Sequence, residues 1–245
     1  MRYVTFRFED RGEVVALLER EDLVKHLPIE ASVSVWKQEV YFETGIDLEG
    51  DLVLNVEPGT LAYWPPGRAL CLFYGISQPY SPVIRLGKLL GPLYYLAWVE
   101  EGEGVEVVRY EDYGTAGEVA KSLRERGIAA AARSWEGTDS VVVLLDGFRA
   151  EVFVEEFGYP VESEALFLSD NSAITCIVVS ALRGIGGEKV RIDLNEEGHV
   201  ILSSFAENID ELERVLRRMA SAWREAWKLL GKLSGLPCPK APPHG

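Results

Sequence analysis

The residues best suited to bind another molecule lie in one aromatic stretch, residues 57–75, on both sides of a Pro65-Pro66-Gly67-Arg68 turn. Proline fixes φ at the first corner of a tight turn and glycine accepts a positive φ at the next, so Pro66-Gly67 predicts a type II reversal between two strands. Both faces of the second arm are apolar, with Ala69, Cys71 and Phe73 on one and Leu70, Leu72 and Tyr74 on the other.

A strand that is apolar on both faces has a core on one side and needs a cover on the other. That cover is either another protein element or a bound ligand, and the sequence leaves both open. If it is a ligand, four aromatic residues line the site and three residues form its rim: Tyr63, Trp64, Phe73 and Tyr74, then Tyr41, Glu43 and Arg68. Tyr80, between Pro79 and Pro82, is either a lid or a side chain lying over the barrel mouth.

The remaining reactive residues are too scattered to form a catalytic or metal centre. The chain has three cysteines and three histidines, at wide spacing and without a metal-ligand pattern or a base beside a nucleophile. The cysteines in apolar runs, Cys71 and Cys176, are predicted to be buried hydrophobic residues. The glycines of residues 184–187 follow a predicted helix instead of opening one, so they predict a helix end and not a phosphate loop. We therefore expect no metal and no cofactor.

The charge of the chain limits its partners. A formal net charge of −14 argues against nucleic-acid binding, which depends on lysine and arginine neutralising phosphates, and against an anionic membrane surface. The N-terminus alternates like a strand and has no signal-peptide core, and the longest apolar run, near residues 173–182, is too short to span a bilayer. These features predict a cytoplasmic protein. Scarce glutamine and asparagine beside abundant glutamate and arginine are typical of thermophiles.

The first 110 residues are predicted to form a β-sheet. Strand patterns cover residues 3–8, 13–18, 33–43, 52–56, 83–86 and 105–110, and residues 93–99 suit either a strand or a short helix. Residues 21–26 suit a short helix that ends before Pro28. Residues 33–43 alternate strongly as one strand, and the alternation turns Trp36, Val40 and Phe42 to the core and Tyr41 and Glu43 outward.

The run from Gly59 to Gly75, GTLAYWPPGRALCLFYG, resembles the signature of an atypical cyclophilin-like family of bacteria and archaea. Residues 27–42 and 81–89 resemble its flanking strands, so the resemblance covers residues 1–110. It implies a closed β-barrel with the prolyl isomerase fold, in which the helix at residues 21–26 plugs one open end.

The resemblance leaves three functions open. Prolyl isomerases use an arginine and an apolar cup, and if this chain is an isomerase Arg68 and Phe73 are the candidate catalytic residues, of which only Phe73 carries over from the family's motif. The chain lacks the Phe-His-Arg and Gln-Gly-Gly runs of working isomerases, so fold alone does not imply activity. The leading hypothesis is a non-catalytic module that binds a small molecule or an extended peptide. The alternatives are a peptidyl-prolyl isomerase and a structural protein whose barrel face is covered.

The rest of the chain predicts a second domain. We expect a cyclophilin-like barrel at residues 1–112, an α+β domain at residues 113–236 and a loose proline-rich tail at residues 237–245. A Thr115-x-x-Glu118 capping box predicts a helix at residues 116–126, and a buried helix or a strand is expected at residues 173–182. Residues 208–234 have the 3-4 repeat of one long helix. It packs either on its own sheet or on a second chain in a homodimer.

Overall fold

The computed structural model describes residues 2–234, and these residues form seventeen strands and three α-helices. The first ten strands are β1 Tyr3–Phe8, β2 Gly12–Leu18, β3 Ile29–Ser32, β4 Ser34–Trp36, β5 Glu39–Glu43, β6 Leu52–Val53, β7 Thr60–Trp64, β8 Ala69–Phe73, β9 Val83–Leu89 and β10 Gly104–Arg109. The remaining elements are α1 Gly114–Glu125, β11 Ala129–Trp135, β12 Thr138–Leu145, β13 Phe148–Phe153, β14 Tyr159–Ser163, β15 Phe167–Leu168, α2 Ala173–Leu182, β16 Arg191–Leu194, β17 His199–Ala206 and α3 Ile209–Ser234.

The N-terminal strands form a curled antiparallel sheet in the order β3-β10-β1-β2-β9-β7-β8-β5-β4, with β6 added to β9. Its ends approach each other where β3 contacts β5. A 3-10 helix at Asp22–His26 inserts the fully buried Leu23 into the interior, as the resemblance implies. A second 3-10 helix at Tyr94–Trp98 resolves the choice between strand and helix there. The prediction of a mainly β, cyclophilin-like N-terminal barrel is confirmed.

The two apolar faces of the central hairpin belong to two different clusters. Leu61, Leu70 and Leu72 point inward and pack in the barrel core. The opposite face forms a second cluster outside the barrel, which we call the outer cluster: Val56, Ala62, Cys71, Phe73 and Val83. The cross-strand register explains the division, because Ala62 faces Cys71 and Leu61 faces Leu72 across the β7–β8 ladder. The two-faced strand predicted from the sequence is therefore present.

The C-terminal half is an antiparallel sheet backed by helices. Strands β11, β12, β13, β14 and β17 pair in that order, and β15 and β16 pair with β17. Helix α3 starts where predicted, since the Asn208 side chain accepts from the Glu211 N–H at 3.0 Å. Its apolar side, including Leu212, Leu216 and Met219, is buried in its own core. The predicted α+β fold with a long terminal helix is confirmed, and the helix packs on its own sheet. A homodimer through residues 208–234 stays a prediction.

Three local expectations are wrong. The turn after Trp64 is a 3-10 turn at Pro65–Gly67, and Arg68, not Gly67, has the positive φ of 47°. Helix α1 begins at Gly114, ahead of the expected capping box, and its N-cap Tyr113 makes no side-chain cap. Helix α2 is a helix, but only Leu182 is fully buried.

The exposure of α2 also corrects a prediction about cysteine. Cys71 is buried as expected, whereas Cys176 is exposed on α2. Ile174 and Ile177 on the same helix are 74% and 66% exposed. The residues of α2 are apolar on all sides of the helix. The sequence therefore predicted the helix but did not show which of its sides would pack against the core.

The two halves meet through β2 and β11, where Gly12 pairs with Trp135, and through a cluster that includes Val15, Ala131 and Val142. Each half also has a core of its own, and on this basis we propose the division near residue 113. The expected tail at residues 237–245 lies outside the described residues. Within residues 2–234, no helix has the length and apolar character needed to cross a bilayer.

Candidate functional site

A cavity of about 180 Å³ opens on the outside of the barrel, beside the outer cluster. We call it the outer-face pocket. Its walls are mostly aromatic, and its lining residues are Trp36, Glu39, Tyr41, Trp64, Pro79, Tyr80 and Val83. All of them belong to residues 36–83, so the pocket is built entirely by the N-terminal half.

A tight hairpin between β4 and β5 brings three of these residues together. Trp36 pairs with Glu39 across the ladder, and paired residues of an antiparallel sheet point to the same face. Tyr41 follows Glu39 by two positions and therefore shares that face. The turn is made by Lys37 and Gln38, with Lys37 in the left-handed region at φ 57°. This conformation is uncommon for a residue with a side chain, and it closes the hairpin that aligns Trp36 with Glu39.

Trp64 is held in place by two local features. Its indole Nε1 donates to the Ser81 hydroxyl at 2.7 Å. Its ring lies against Gly67, where an added Cβ would be 2.3 Å from the ring atom Cζ3. The turn therefore needs glycine at this position to leave room for the indole, and not for its conformational freedom.

Glu39 is a buried carboxylate in this aromatic setting, with only 6% of its surface exposed. Burial raises the pKa of Glu39 above its ordinary value, while a hydrogen bond from the Cys71 thiol and the charge of Lys37 oppose the rise. Burial also raises the pKa of Cys71 well above its usual range, so this thiol stays protonated and is a hydrogen-bond donor instead of a nucleophile. Across residues 2–234, no group of three or more His, Cys, Asp or Glu side chains is arranged to hold a metal ion.

The opposite wall of the pocket comes from the loop that precedes β9. Tyr80 is 83% exposed, and its ring meets the Trp36 ring edge-to-face at a centroid distance of 6.2 Å. It therefore stands over the outer-face pocket instead of packing on the barrel. Of the two alternatives for Tyr80, the lid is the one that this position favours.

The structure brings only some of the predicted site residues together. Tyr41 and Trp64 line the outer-face pocket, and Phe73 lies fully buried in the outer cluster against which both pack. Tyr63 points into the barrel, where its hydroxyl donates to the Ile46 carbonyl at 2.7 Å. Tyr74 packs against the barrel core and lines a different cavity, together with residues of the C-terminal half such as Trp223 and Trp227.

The two predicted rim charges lie away from this pocket. Glu43 is exposed at the far end of β5, opposite Ala69. Arg68, at the hairpin tip, pairs with Asp47 at 2.6 Å. As an isomerase pair, Arg68 and Phe73 would have to face one proline, but Arg68 precedes β8 and Phe73 ends it, about 16 Å apart along the chain. Phe73 is also fully buried.

Sequence reasoning missed four of the lining residues, which are Trp36, Glu39, Pro79 and Val83, and it weighed Tyr80 as a lid. For Trp36 and Glu39 the cause is the turn at Lys37-Gln38, because treating residues 33–43 as one strand turned Trp36 toward the core and left Glu39 unexamined. A two-residue turn reverses the chain and restarts the alternation, so Trp36 and Tyr41 share the outer face. The adjacent polar pair, Lys37 and Gln38, was the signal available in the sequence.

Residues 2–108 match the model of the cyclophilin-like family. A hypothetical protein of Archaeoglobus fulgidus, known from a solution structure, is 30% identical over a match that covers 44% of this chain and 94% of that chain, with a TM-score of 0.38. No curated protein matches. Residues 2–108 are therefore a cyclophilin-like segment, which agrees with the resemblance seen in the hairpin.

Proposed function

We propose that this protein is a binding module whose outer-face pocket takes a small molecule or one side chain of an extended peptide. The observation that carries the proposal is the outward-facing aromatic pocket on an apolar cluster, since exposed apolar concavities with a few polar groups are the usual form of ligand sites. The lining comes only from the N-terminal half. No element of the described C-terminal half covers it.

The size of the pocket suits a compact group. A volume of about 180 Å³ is smaller than the roughly 300–1,000 Å³ of sites that enclose drug-sized ligands. Tyr80 can close over such a group, because its side chain is 83% exposed and meets the Trp36 ring only edge-to-face. Binding would therefore order Tyr80 more than any other wall of the pocket.

The experiment is a titration of the protein with three compact probes, namely N-acetylproline methylamide, 3,3-dimethylbutan-1-ol and choline, followed by tryptophan fluorescence and backbone amide NMR. We expect at least one probe to give a saturable change centred on residues 36–41, 64 and 79–83. Tyr80→Ala should weaken that binding about three- to tenfold, because it removes one aromatic wall without opening the core.

Ile76→Ala is the matched control, since Ile76 is equally exposed, at 85%, on the same loop but outside the lining. It should bind like the unmodified protein. Flat fluorescence and unshifted amides with all three probes would refute the binding module. An equal loss of affinity in both variants would refute the outer-face pocket as its site.

A further inference from the structure

We propose that the outer-face pocket selects an organic cation, a trimethylammonium or alkylammonium group, enclosed by aromatic rings and neutralised by the Glu39 carboxylate. This inference rests on the proposed function, because it names the ligand class of the same pocket. Two observations support it: the lining is mostly aromatic, and the buried Glu39 carboxylate has no ion-pair partner within residues 2–234.

The aromatic part of the site is an incomplete cage. Four of the seven lining residues carry aromatic rings, and they come from four separate segments of the chain: Trp36, Tyr41, Trp64 and Tyr80. Aromatic faces carry partial negative charge and attract cations, and cages of such rings are how proteins recognise quaternary ammonium groups. The chain already shows this attraction, since Lys37 Nζ lies 3.9 Å from the centroid of the Trp36 ring.

The charged part of the site is a carboxylate without an ion-pair partner. None of the ion pairs among the described residues includes Glu39, although its surface is only 6% exposed. The charge of Lys37 offsets only part of the cost of removing this carboxylate from water, so a cation that enters the pocket recovers more of that cost. An anionic ligand would be repelled by the same group.

The remaining features narrow the class of cation. A metal ion needs several oxygen or nitrogen ligands, whereas the acidic lining is a single carboxylate among rings. An ammonium group with carbon substituents suits both parts, because its charge meets Glu39 and its methyl or methylene groups meet the rings. The small volume fits one such head group. The net charge of −14 attracts cations to the whole molecule.

The experiment compares choline with 3,3-dimethylbutan-1-ol, which has the same shape but carries carbon in place of the quaternary nitrogen. We expect the unmodified protein to bind choline at least about tenfold more tightly, because only choline gains from the rings and the carboxylate. This comparison needs no substitution, so it stays decisive even if a variant folds poorly.

Glu39→Gln and Glu43→Gln form a matched pair of variants, since both residues lie on β5 and face outward but only Glu39 lines the pocket. Glu39→Gln should lower choline affinity about tenfold and leave the alcohol unchanged, and Glu43→Gln should change neither. Equal binding of choline and the alcohol at this pocket would overturn the cation while leaving the binding module standing. Choline binding that is unchanged by Glu39→Gln would also overturn the inference. If choline, the alcohol and N-acetylproline methylamide all fail to bind, both proposals are overturned.

Discussion

At the scale of single residues, the outer-face pocket depends on a contact that cannot be predicted from the sequence. Gly67 lies beneath the Trp64 ring, and an added Cβ would be 2.4 Å from Cε3 of that ring. Gly67 does not have a positive φ, so its backbone would accept alanine. The reason for glycine here is the space that the indole occupies.

Gly67→Ala should therefore displace the Trp64 ring and break its hydrogen bond to Ser81. We expect a loss of about 1–3 kcal/mol in the free energy of unfolding, the usual cost of overpacking, and a shifted Trp64 indole N–H resonance. Urea unfolding and NMR measure the two effects. Gly184→Ala is the control, because no heavy atom lies within 4 Å of its added Cβ. An unshifted Trp64 resonance in Gly67→Ala would show that the ring is not held by this turn.

The second prediction is that the Glu39 carboxylate lowers the stability of the free protein although it favours ligand binding. Because burial raises its pKa, the folded protein keeps this proton to higher pH than the unfolded chain, where Glu has a pKa near 4.5. The free energy of unfolding should then fall as pH rises from about 4.5 toward the raised pKa. Glu39→Gln should remove the Glu39 contribution to that fall and stabilise the free protein at neutral pH, which thermal unfolding at pH 5 and pH 8 measures. A variant that is less stable than the parent at pH 8 would contradict it.

At the scale of elements, the hairpin shows what sequence patterns can and cannot reveal. The aromatic and aliphatic content of β7 and β8 and the proline-glycine reversal predicted the hairpin and its two apolar faces, because composition and period are local properties. The pocket also needs β4, β5 and the loop before β9, which are brought to β8 only by the sheet order. The turn at Lys37 determines which face of the sheet Trp36 occupies. The geometry of such a turn is difficult to predict from a single sequence.

A buried ion pair in the C-terminal sheet is joined to the N-terminal half by Tyr95. Arg133 on β11 donates to Glu151 on β13 at 2.7 Å, and both side chains are nearly inaccessible, at 1% and 4% exposure. Ser140 and Tyr95 also donate to Glu151, at 2.5 and 2.7 Å. Since Tyr95 belongs to the N-terminal half, one carboxylate connects it to three strands of the C-terminal sheet. Both charges are neutralised only while the pair is complete.

Glu151→Gln should cost about 3–5 kcal/mol of unfolding free energy, because it leaves the Arg133 charge buried without a counterion. Replacing both residues, as Arg133→Met with Glu151→Leu, should cost less than the single change. Urea unfolding followed by circular dichroism measures these values. Asp47→Asn, which breaks the exposed pair with Arg68, is the control and should cost under about 1 kcal/mol. Equal costs for Glu151→Gln and Asp47→Asn would refute the role of the buried pair.

At the scale of the whole molecule, acidic side chains gather where the two halves meet. Burial, together with the neighbouring charges of Glu151 and Glu197, raises the pKa of Glu162 to about 7. Glu162 lines a cavity together with Tyr95 and Trp135, so its carboxylate lies where the two halves meet. Ionisation of this group works against the folded state.

The protein should therefore lose stability as pH rises from about 4.5 to about 7, and level off above that, because the folded state binds the Glu162 proton more tightly than the unfolded chain. The loss from this group is well under about 3 kcal/mol, because solvent screens this half-buried carboxyl. Glu162→Gln should flatten the decline in melting temperature between pH 5 and pH 8. Glu118→Gln, on the exposed side of α1, should not. An unaltered slope in Glu162→Gln would assign the pH dependence to other groups.

The sequence also predicted the organisation of the whole chain to a useful degree. Strand periodicity and the family signature identified the barrel. The 3-4 repeat identified α3, because an apolar period that recurs over many residues is a strong signal. The contact between the halves could not be predicted, since it joins residues such as Tyr95 and Glu151 that are far apart in sequence. The exposure of α2 was missed for the same reason.

The most direct test of the outer-face pocket follows the indole N–H signals of the six tryptophans in a choline titration by NMR. Trp36 and Trp64 line the pocket, whereas Trp98, Trp135, Trp223 and Trp227 do not. The account predicts saturable shifts of the Trp36 and Trp64 signals alone. Shifts confined to Trp223 and Trp227, or to Trp98 and Trp135, would place the site between the two halves and contradict it.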